Sequence, residues 1–286
     1  MNPQAEVGGE DKTVLPMTTA DVAPAPGRAE RPVQIAFDKV GVVFPNGTRA
    51  LNEVSLDVHE GEFLAVIGPS GCGKSTLLNM AAGLLKPTVG AVRYGAVPVT
   101  GPNREVGYVT QKDQLLPWRT VEKNVALPLE FRGVPKAQAR DRVAAVIEQV
   151  GLRGFERSYP GELSGGMLKR AALARTMVYA PSTYLMDEPF ASLDAQLRMV
   201  MQDELLRIWR ETRSTVVFVT HDLAEAITLA DRIVVVTSRP GRIKMVTDVD
   251  LPRPRSAVSA HEAPEFSALM SRLWAALDHP AEGKAS

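Results

Sequence analysis

Gly68-Pro-Ser-Gly-Cys-Gly-Lys-Ser75 carries the spacing G-x-x-x-x-G-K-[ST] without a mismatch, a pattern whose chemistry is the cradling of phosphates. Glycines at 68, 71 and 73 let the backbone curl so that successive N–H groups point inward at phosphate oxygens. Gly68, Pro69, Ser70, Gly71, Cys72, Gly73, Lys74, Ser75 and Thr76 are therefore the candidate nucleotide-binding residues. Lys74 is placed to reach the outer phosphates, and the Ser75 hydroxyl to ligate Mg²⁺. The pattern has meaning only between a strand and a helix. Phe63-Leu-Ala-Val-Ile67 reads as that strand, and Thr76-Leu-Leu-Asn-Met-Ala-Ala82 as the start of that helix, whose dipole adds positive potential.

A second chemical feature ends another apolar run. Thr183-Tyr-Leu-Met-Asp187-Glu188 places two acids at a strand end, where burial is costly unless they meet a cation or transfer a proton. Asp187 suits a Mg²⁺ shell, through a water, since Mg²⁺ keeps several waters. Glu188 suits a base that orients or deprotonates an attacking water. Upstream, Leu163-Ser-Gly-Gly166 opens a helical run, Met167 to Tyr179, just before the acid-ended strand. Its free N–H groups make a second helix N-terminus able to receive an anion.

These residues need a scaffold, and the periodicity supplies one. Alternation through Val40, Val42 and Phe44, then Leu51, Val54, Leu56 and Val58, predicts antiparallel strands around Pro45-Asn46-Gly47. From Val121 to Arg175 the texture is helical, with Val143, Val146, Ile147 and Val150 on one face. Thr215-Val-Val-Phe-Val-Thr220 and Ile233-Val-Val-Val236 are strand-like, and Leu197, Met201, Leu205, Ile208 and Trp209 repeat at helical spacing. Strands alternating with helices predict a doubly wound α/β core. Phe266, Leu269, Met270, Leu273, Trp274 and Leu277 form an amphipathic stripe. Its plainest role is packing back onto its own domain; docking onto a partner or a membrane surface is the other.

The bulk numbers set limits. The chain has 286 residues, 45% of them apolar, enough for one large domain with a subdomain and tails. Thirty-three basic side chains balance 33 acidic ones, so no global basic field exists to hold a nucleic acid. The single cysteine, Cys72, precludes an internal disulfide and a Cys-rich zinc site. No apolar run approaches the roughly 18 residues of a membrane span, and no signal peptide is legible, so the chain reads as soluble and cytoplasmic.

Together, the glycine loop, Leu163-Ser164-Gly165-Gly166 and Asp187-Glu188 resemble the ATP-binding cassette (ABC) family of transporter ATPases over roughly residues 34–250. The resemblance implies a RecA-like, P-loop NTPase α/β core with an antiparallel β subdomain and a helical subdomain. In this chain the domain would span 33–255, with the helical subdomain at about 112–175. A disordered tail, 1–32, would precede it, and a tail bearing the amphipathic helix, 256–286, would follow. It further implies that Gln111 senses Mg²⁺ and γ-phosphate, that Phe44 stacks on adenine, and that Thr220-His221-Asp222 contains the switch histidine. Ser192-Leu-Asp194 resembles the family's D-loop.

The family resemblance implies head-to-tail homodimers, each ATP lying between Lys74 of one chain and Ser164, Gly165 and Gly166 of the other. Gly101-Pro102, Leu115-Leu-Pro-Trp118 and Ser238-Arg-Pro-Gly-Arg242 look like the nitrate/sulfonate/taurine importer branch. There the ATPase pairs with a separate membrane permease, indirectly with a periplasmic solute-binding protein, and lies peripherally on the cytoplasmic face of the inner membrane. Another small solute, or a soluble non-transport ABC ATPase, is the alternative. One departure stands out: Met167 and Lys169 replace the glutamines common after LSGG, which puts a side-chain contact from position 167 to ribose in question. A thiol at Cys72 would make ATP binding sensitive to alkylation.

Overall fold

The computed structural model describes residues 31–111, 115–191 and 193–278. The tail read as disordered falls, up to residue 30, outside them, as does Ser192 of the D-loop-like segment. β1 (Val33–Val43) and β2 (Arg49–His59) form the antiparallel hairpin that the alternation predicts, Val40 facing Val54 and Phe37 facing Leu56. Its turn closes with Gly47 N–H donating to the Phe44 carbonyl at 2.9 Å. β3 (Phe63–Ile67) runs into the glycine loop and α1 (Lys74–Ala81). Then come β4 (Val89–Tyr94), β5 (Val97–Pro98) and β6 (Val106–Val109).

The helical stretch comprises α2 (Val121–Phe131), α3 (Lys136–Gln149), a 3₁₀ turn at Pro160–Glu162 and α4 (Gly165–Met177). β7 (Thr183–Asp187), α5 (Ala195–Thr212), β8 (Thr215–Val219), α6 (Leu223–Leu229) and β9 (Arg232–Val236) complete the alternating part. β10 (Ile243–Asp248), α7 (Ala257–Glu262) and α8 (Pro264–Asp278) follow.

Two sheets result. One has the order β2-β1-β4-β5 and is antiparallel. The other has the order β10-β9-β3-β8-β7-β6, parallel except for the β10 edge. Its central strands are buried on both faces, so they read as unbroken apolar runs. Alternate side chains then serve different cores. Phe63, Ala65 and Ile67 face the helices, where they share a core with Trp209 of α5 and with Phe218 of β8, whereas Leu64 and Val66 face the antiparallel sheet and α1. The Glu62–Arg232 ion pair, at 2.7 Å and buried, locks the starts of β3 and β9 together.

Sequence periodicity gives no sign of β4, β5 or β10. Five of the six β4 residues are partly or fully exposed and β10 buries only Thr247, so neither writes the apolar run of a central strand. The C-terminal stripe packs back onto its own domain. Phe266, Leu269 and Leu273 are buried against α6 and β9, each stabilising by about 1.5–3 kcal/mol. Trp274, counted in the same stripe, is 61% exposed. Among the described residues, no helix is long and apolar enough to cross a membrane.

Candidate functional site: a phosphate cavity at the ends of the parallel strands

The glycine loop turns out of β3 through residues that a side chain would obstruct. A Cβ at Gly68 would lie 2.6 Å from the Val236 carbonyl oxygen, and Gly73 adopts φ +103°, a left-handed conformation at the cap of α1. Lys74 then begins the helix, its Nζ donating to the Gly68 and Pro69 carbonyls at 2.7 and 3.0 Å. The Gly71–Cys72 peptide is held at both ends. Its N–H donates to the Pro69 carbonyl at 3.3 Å, and its carbonyl accepts from Arg239 Nη2 at 3.0 Å and Nε at 3.2 Å.

A cavity of about 210 Å³ opens here, lined by Phe44, Ser70, Lys74, Gln111, Glu188 and Arg239 among others. Ala50, Gly71, Gly73, Ser75 and Thr76 complete its wall. Residues chosen from four separate stretches of sequence thus meet in one place. A larger cleft of about 840 Å³, between Arg104, Phe131 and Tyr179, contains none of them. Gly68, Pro69 and Cys72 belong to the loop but do not line the cavity.

β7 delivers the acids. Asp187 is buried, and the Ser75 hydroxyl hydrogen-bonds its carboxylate. Burial pushes the Asp187 carboxyl above its ordinary value, partly offset by that bond and by the charges of Lys74 and Lys169. A hydroxyl and a carboxylate in contact at the phosphate end fit the oxygen ligation of Mg²⁺, which takes one or two carboxylates and completes its shell with water and phosphate. Among the described residues there is no cluster of three or more His, Cys, Asp or Glu able to hold a metal alone.

Glu188 leaves the strand with φ +49°, a left-handed conformation costing about 1–3 kcal/mol for a side chain with a Cβ. The surroundings enforce it: Glu188 N–H donates to the Val219 carbonyl of β8 at 2.9 Å. Its carboxylate lies 3.3 Å from His221 Nδ1. His221 is largely exposed, but its loop is not free. Asp222 caps α6 by accepting from Ala224 and Glu225 N–H, and Thr220 Oγ1 donates to Glu225 at 2.7 Å. Arg198 joins Asp222 at 3.3 Å and donates to the Leu193 carbonyl at 3.1 Å, fastening the His221 loop to the residues before α5.

Ser164, Gly165, Gly166 and Asp194 do not line the cavity. Ser164 is exposed at the N-cap of α4, where its Oγ accepts from Met167 N–H at 3.3 Å. α4 therefore starts at Gly165, two residues earlier than the sequence periodicity places it. Asp194 is the N-cap of α5, accepting from Leu197 N–H at 2.9 Å.

Three features escaped sequence reasoning or differ from it. Arg239 lines the cavity and holds the loop, though its segment was singled out only as a resemblance. Cys72 is fully buried and its thiol is pushed up by burial, so an alkylating reagent meets neither an accessible sulfur nor a thiolate. Trp118, known from sequence only through its segment's resemblance, is 71% exposed. Buried Asn124 bonds Leu116 N–H and the carbonyls of Leu116, Arg119 and Thr120, holding Trp118 outward on a rigid loop.

The family profile described as ABC transporter matches residues 51–191. An uncharacterized ABC transporter ATP-binding protein of Methanocaldococcus jannaschii is 52% identical over 75% of this chain and 80% of its own length. The aliphatic sulfonates import ATP-binding protein SsuB of Bacillus licheniformis is 47% identical over 74% of this chain and 82% of its own. Among solved structures, a dimeric ATP-binding cassette in a post-hydrolysis state bound to ADP and Pi superposes with TM-score 0.70. It is 30% identical and covers 76% of this chain and 100% of that one.

Proposed function

Because the chain belongs to the ABC transporter family as an ATP-binding ATPase subunit, we propose that it drives import of a small sulfonate-like solute through a separate permease. The carrying observation is the division of its phosphate chemistry. Lys74, Ser75, Gln111 and Glu188 share one cavity, while the helix N-terminus at Ser164 stands outside it, exposed. A second copy arranged head to tail would bring that helix end to the open side of the cavity. The Ser164 oxygen caps its own helix as an acceptor, which leaves the hydroxyl proton to donate to a phosphate oxygen.

In this reading Phe44 stacks on adenine and the loop N–H groups with Lys74 hold the phosphates. Ser75, Asp187 and Gln111 would hold Mg²⁺, which when bound neutralises charge on the outer phosphates. Glu188 orients the attacking water and takes its proton, and His221 fixes the Glu188 carboxylate. The partner's Ser164 and the Gly165 and Gly166 backbone stabilise charge spreading over the transferred phosphoryl group. Asp194, as the cap of α5, sets the position of the segment that would face the second copy. Met167 carries a thioether, at most a weak hydrogen-bond acceptor, so in this reading ATP recognition does not rely on a side-chain hydrogen bond from position 167.

The sulfonate class is carried by the likeness to SsuB. The rigid loop presenting Trp118, with Phe131 also exposed, offers the permease an apolar surface on the helical subdomain. The chain would then sit on the cytoplasmic face of the inner membrane, fed by a periplasmic solute-binding protein that it never touches. A strain lacking the chain should lose growth on alkanesulfonates as sole sulfur source. The parental chain should restore growth and Glu188→Gln should not. Unimpaired growth, with loss instead on nitrate or another solute, would reassign the cargo. Recovery of an active ATPase with no membrane partner would favour the non-transport alternative.

A further inference from the structure

Lys169 lies on α4, five residues after Ser164, and is 4% exposed. A buried ammonium is stable only where polar groups replace its water. Its Nζ donates to the Gln111 carbonyl at 2.7 Å, the short range of a charge-assisted bond. Gln111 follows β6 and lines the phosphate cavity. The Lys169 charge also acts on the Asp187 carboxylate, so the ammonium sits at the rear of the phosphate end rather than on the outer face of its helix. Along α4, Lys169 and Ser164 are separated by about 7.5 Å of rise. One short stretch of helix therefore carries both the exposed serine and the ammonium that grips Gln111.

We propose that Lys169 is a positioning residue: its bond to the Gln111 carbonyl fixes the backbone from which the Gln111 side chain reaches the metal–phosphate end of the cavity. This rests on the reading of Gln111 as a ligand of Mg²⁺ and γ-phosphate. The Lys169 bond ties the cavity wall to the helix that begins at Ser164. The phosphate loop's own restraints, Lys74 to Gly68 and Pro69 and Arg239 to Gly71, do not run through it. Loss of the Lys169 bond should therefore disturb metal response and turnover more than nucleotide capture.

The test uses the full chain with Lys169→Met, Lys169→Gln and Gln111→Ala, each first checked for an intact thermal transition. Mg²⁺ is titrated against binding of a fluorescent ATP analogue, and kcat and KM for ATP are measured separately. Lys169→Met should raise the Mg²⁺ needed for half-maximal binding about tenfold and lower kcat about tenfold, with KM within about twofold. Lys169→Gln, which keeps an N–H donor, should recover most of that loss. If Lys169→Met does not fold, Lys169→Ala carries the same expectation. A parental Mg²⁺ response in the folded Met or Ala variant, with Gln111→Ala shifted, overturns the proposal. So does a folded Gln variant that recovers nothing. An unshifted Gln111→Ala sinks instead the reading of Gln111 as a ligand.

Discussion

The glycine loop and the Ser164 helix start are both helix N-termini, whose first N–H groups have no partner within the helix, yet the fold treats them oppositely. The first lies between β3 and α1 at the centre of the parallel sheet, with Lys74 buried and the Gly71–Cys72 peptide restrained at both ends. The second is exposed, held by a single side-chain cap, and outside the cavity. The first is preorganised by its own chain; the second is presented outward. On the proposed function, that contrast makes binding and turnover separable: capture of nucleotide would belong to the buried terminus, and completion of the reaction to the exposed one.

The sharpest break of that comparison is at Glu188, which the proposed function assigns to turnover though it sits beside the buried terminus. Glu188→Gln should lower kcat about 10²–10⁴-fold while ATP affinity, read by equilibrium binding, stays near parental. Near-normal turnover would remove Glu188 from the chemistry. Next comes a mixing experiment. Lys74→Ala and Ser164→Ala chains should each lose about ten- to a hundredfold of activity. Mixed together they should recover part of it, because one heterodimer site then has both residues intact. Additive inactivity would show that the two termini serve one chain's own site.

A smaller effect is expected at Arg239. Arg239→Ala should raise KM for ATP about three- to tenfold with kcat retained, since it frees the Gly71 carbonyl without touching the water-activating groups. A fall in kcat alone would assign it to the other side of the comparison. The mildest test concerns Glu225 beneath His221. Burial raises its carboxyl above the ordinary 4.5, against the Thr220 and Gln202 hydrogen bonds and the Arg198 charge, while Asp222 adds to the rise. With the folded value raised, its stabilising contribution is full below pH 4.5 and is lost as pH rises through the elevated value. Glu225→Gln should thus gain on the parental protein in thermal stability as pH increases from 4.5 toward neutrality. A stability gap that does not change with pH would refute the assignment.

Much of the cavity was legible because its residues sit at ends of strongly apolar strands. Phe63–Ile67 and Thr183–Asp187 announce themselves by composition, and the groups that follow them inherit a position. The edge strands were not legible, since β4 and β10 bury too little to leave a periodic trace. Arg239 was hidden for a different reason. Its value comes from a carbonyl 168 residues away in sequence, and long-range pairing of that kind leaves no local signature. Lys169 was visible as a departure from a pattern, but only the packing of α4 against the end of β6 gives the departure a partner. The C-terminal stripe leaves folding back and docking both open in sequence; in the structure Phe266, Leu269 and Leu273 are buried and Leu277 packs beside them, while Trp274 lies at the exposed margin of the same face.

The left-handed backbone at Glu188 carries a practical consequence. Because the aim of that side chain is set by a main-chain bond to Val219, a change of carboxylate to carboxamide alters its basicity while leaving its direction alone. Glu188→Gln is accordingly the variant in which an ATP-loaded assembly should persist long enough to be isolated. Glu188→Gly, relieved of the strain, should be at least as heat-stable as Glu188→Ala and equally unable to turn over. The same twist of chain thus gives the experimenter a handle for halting the cycle at its loaded stage.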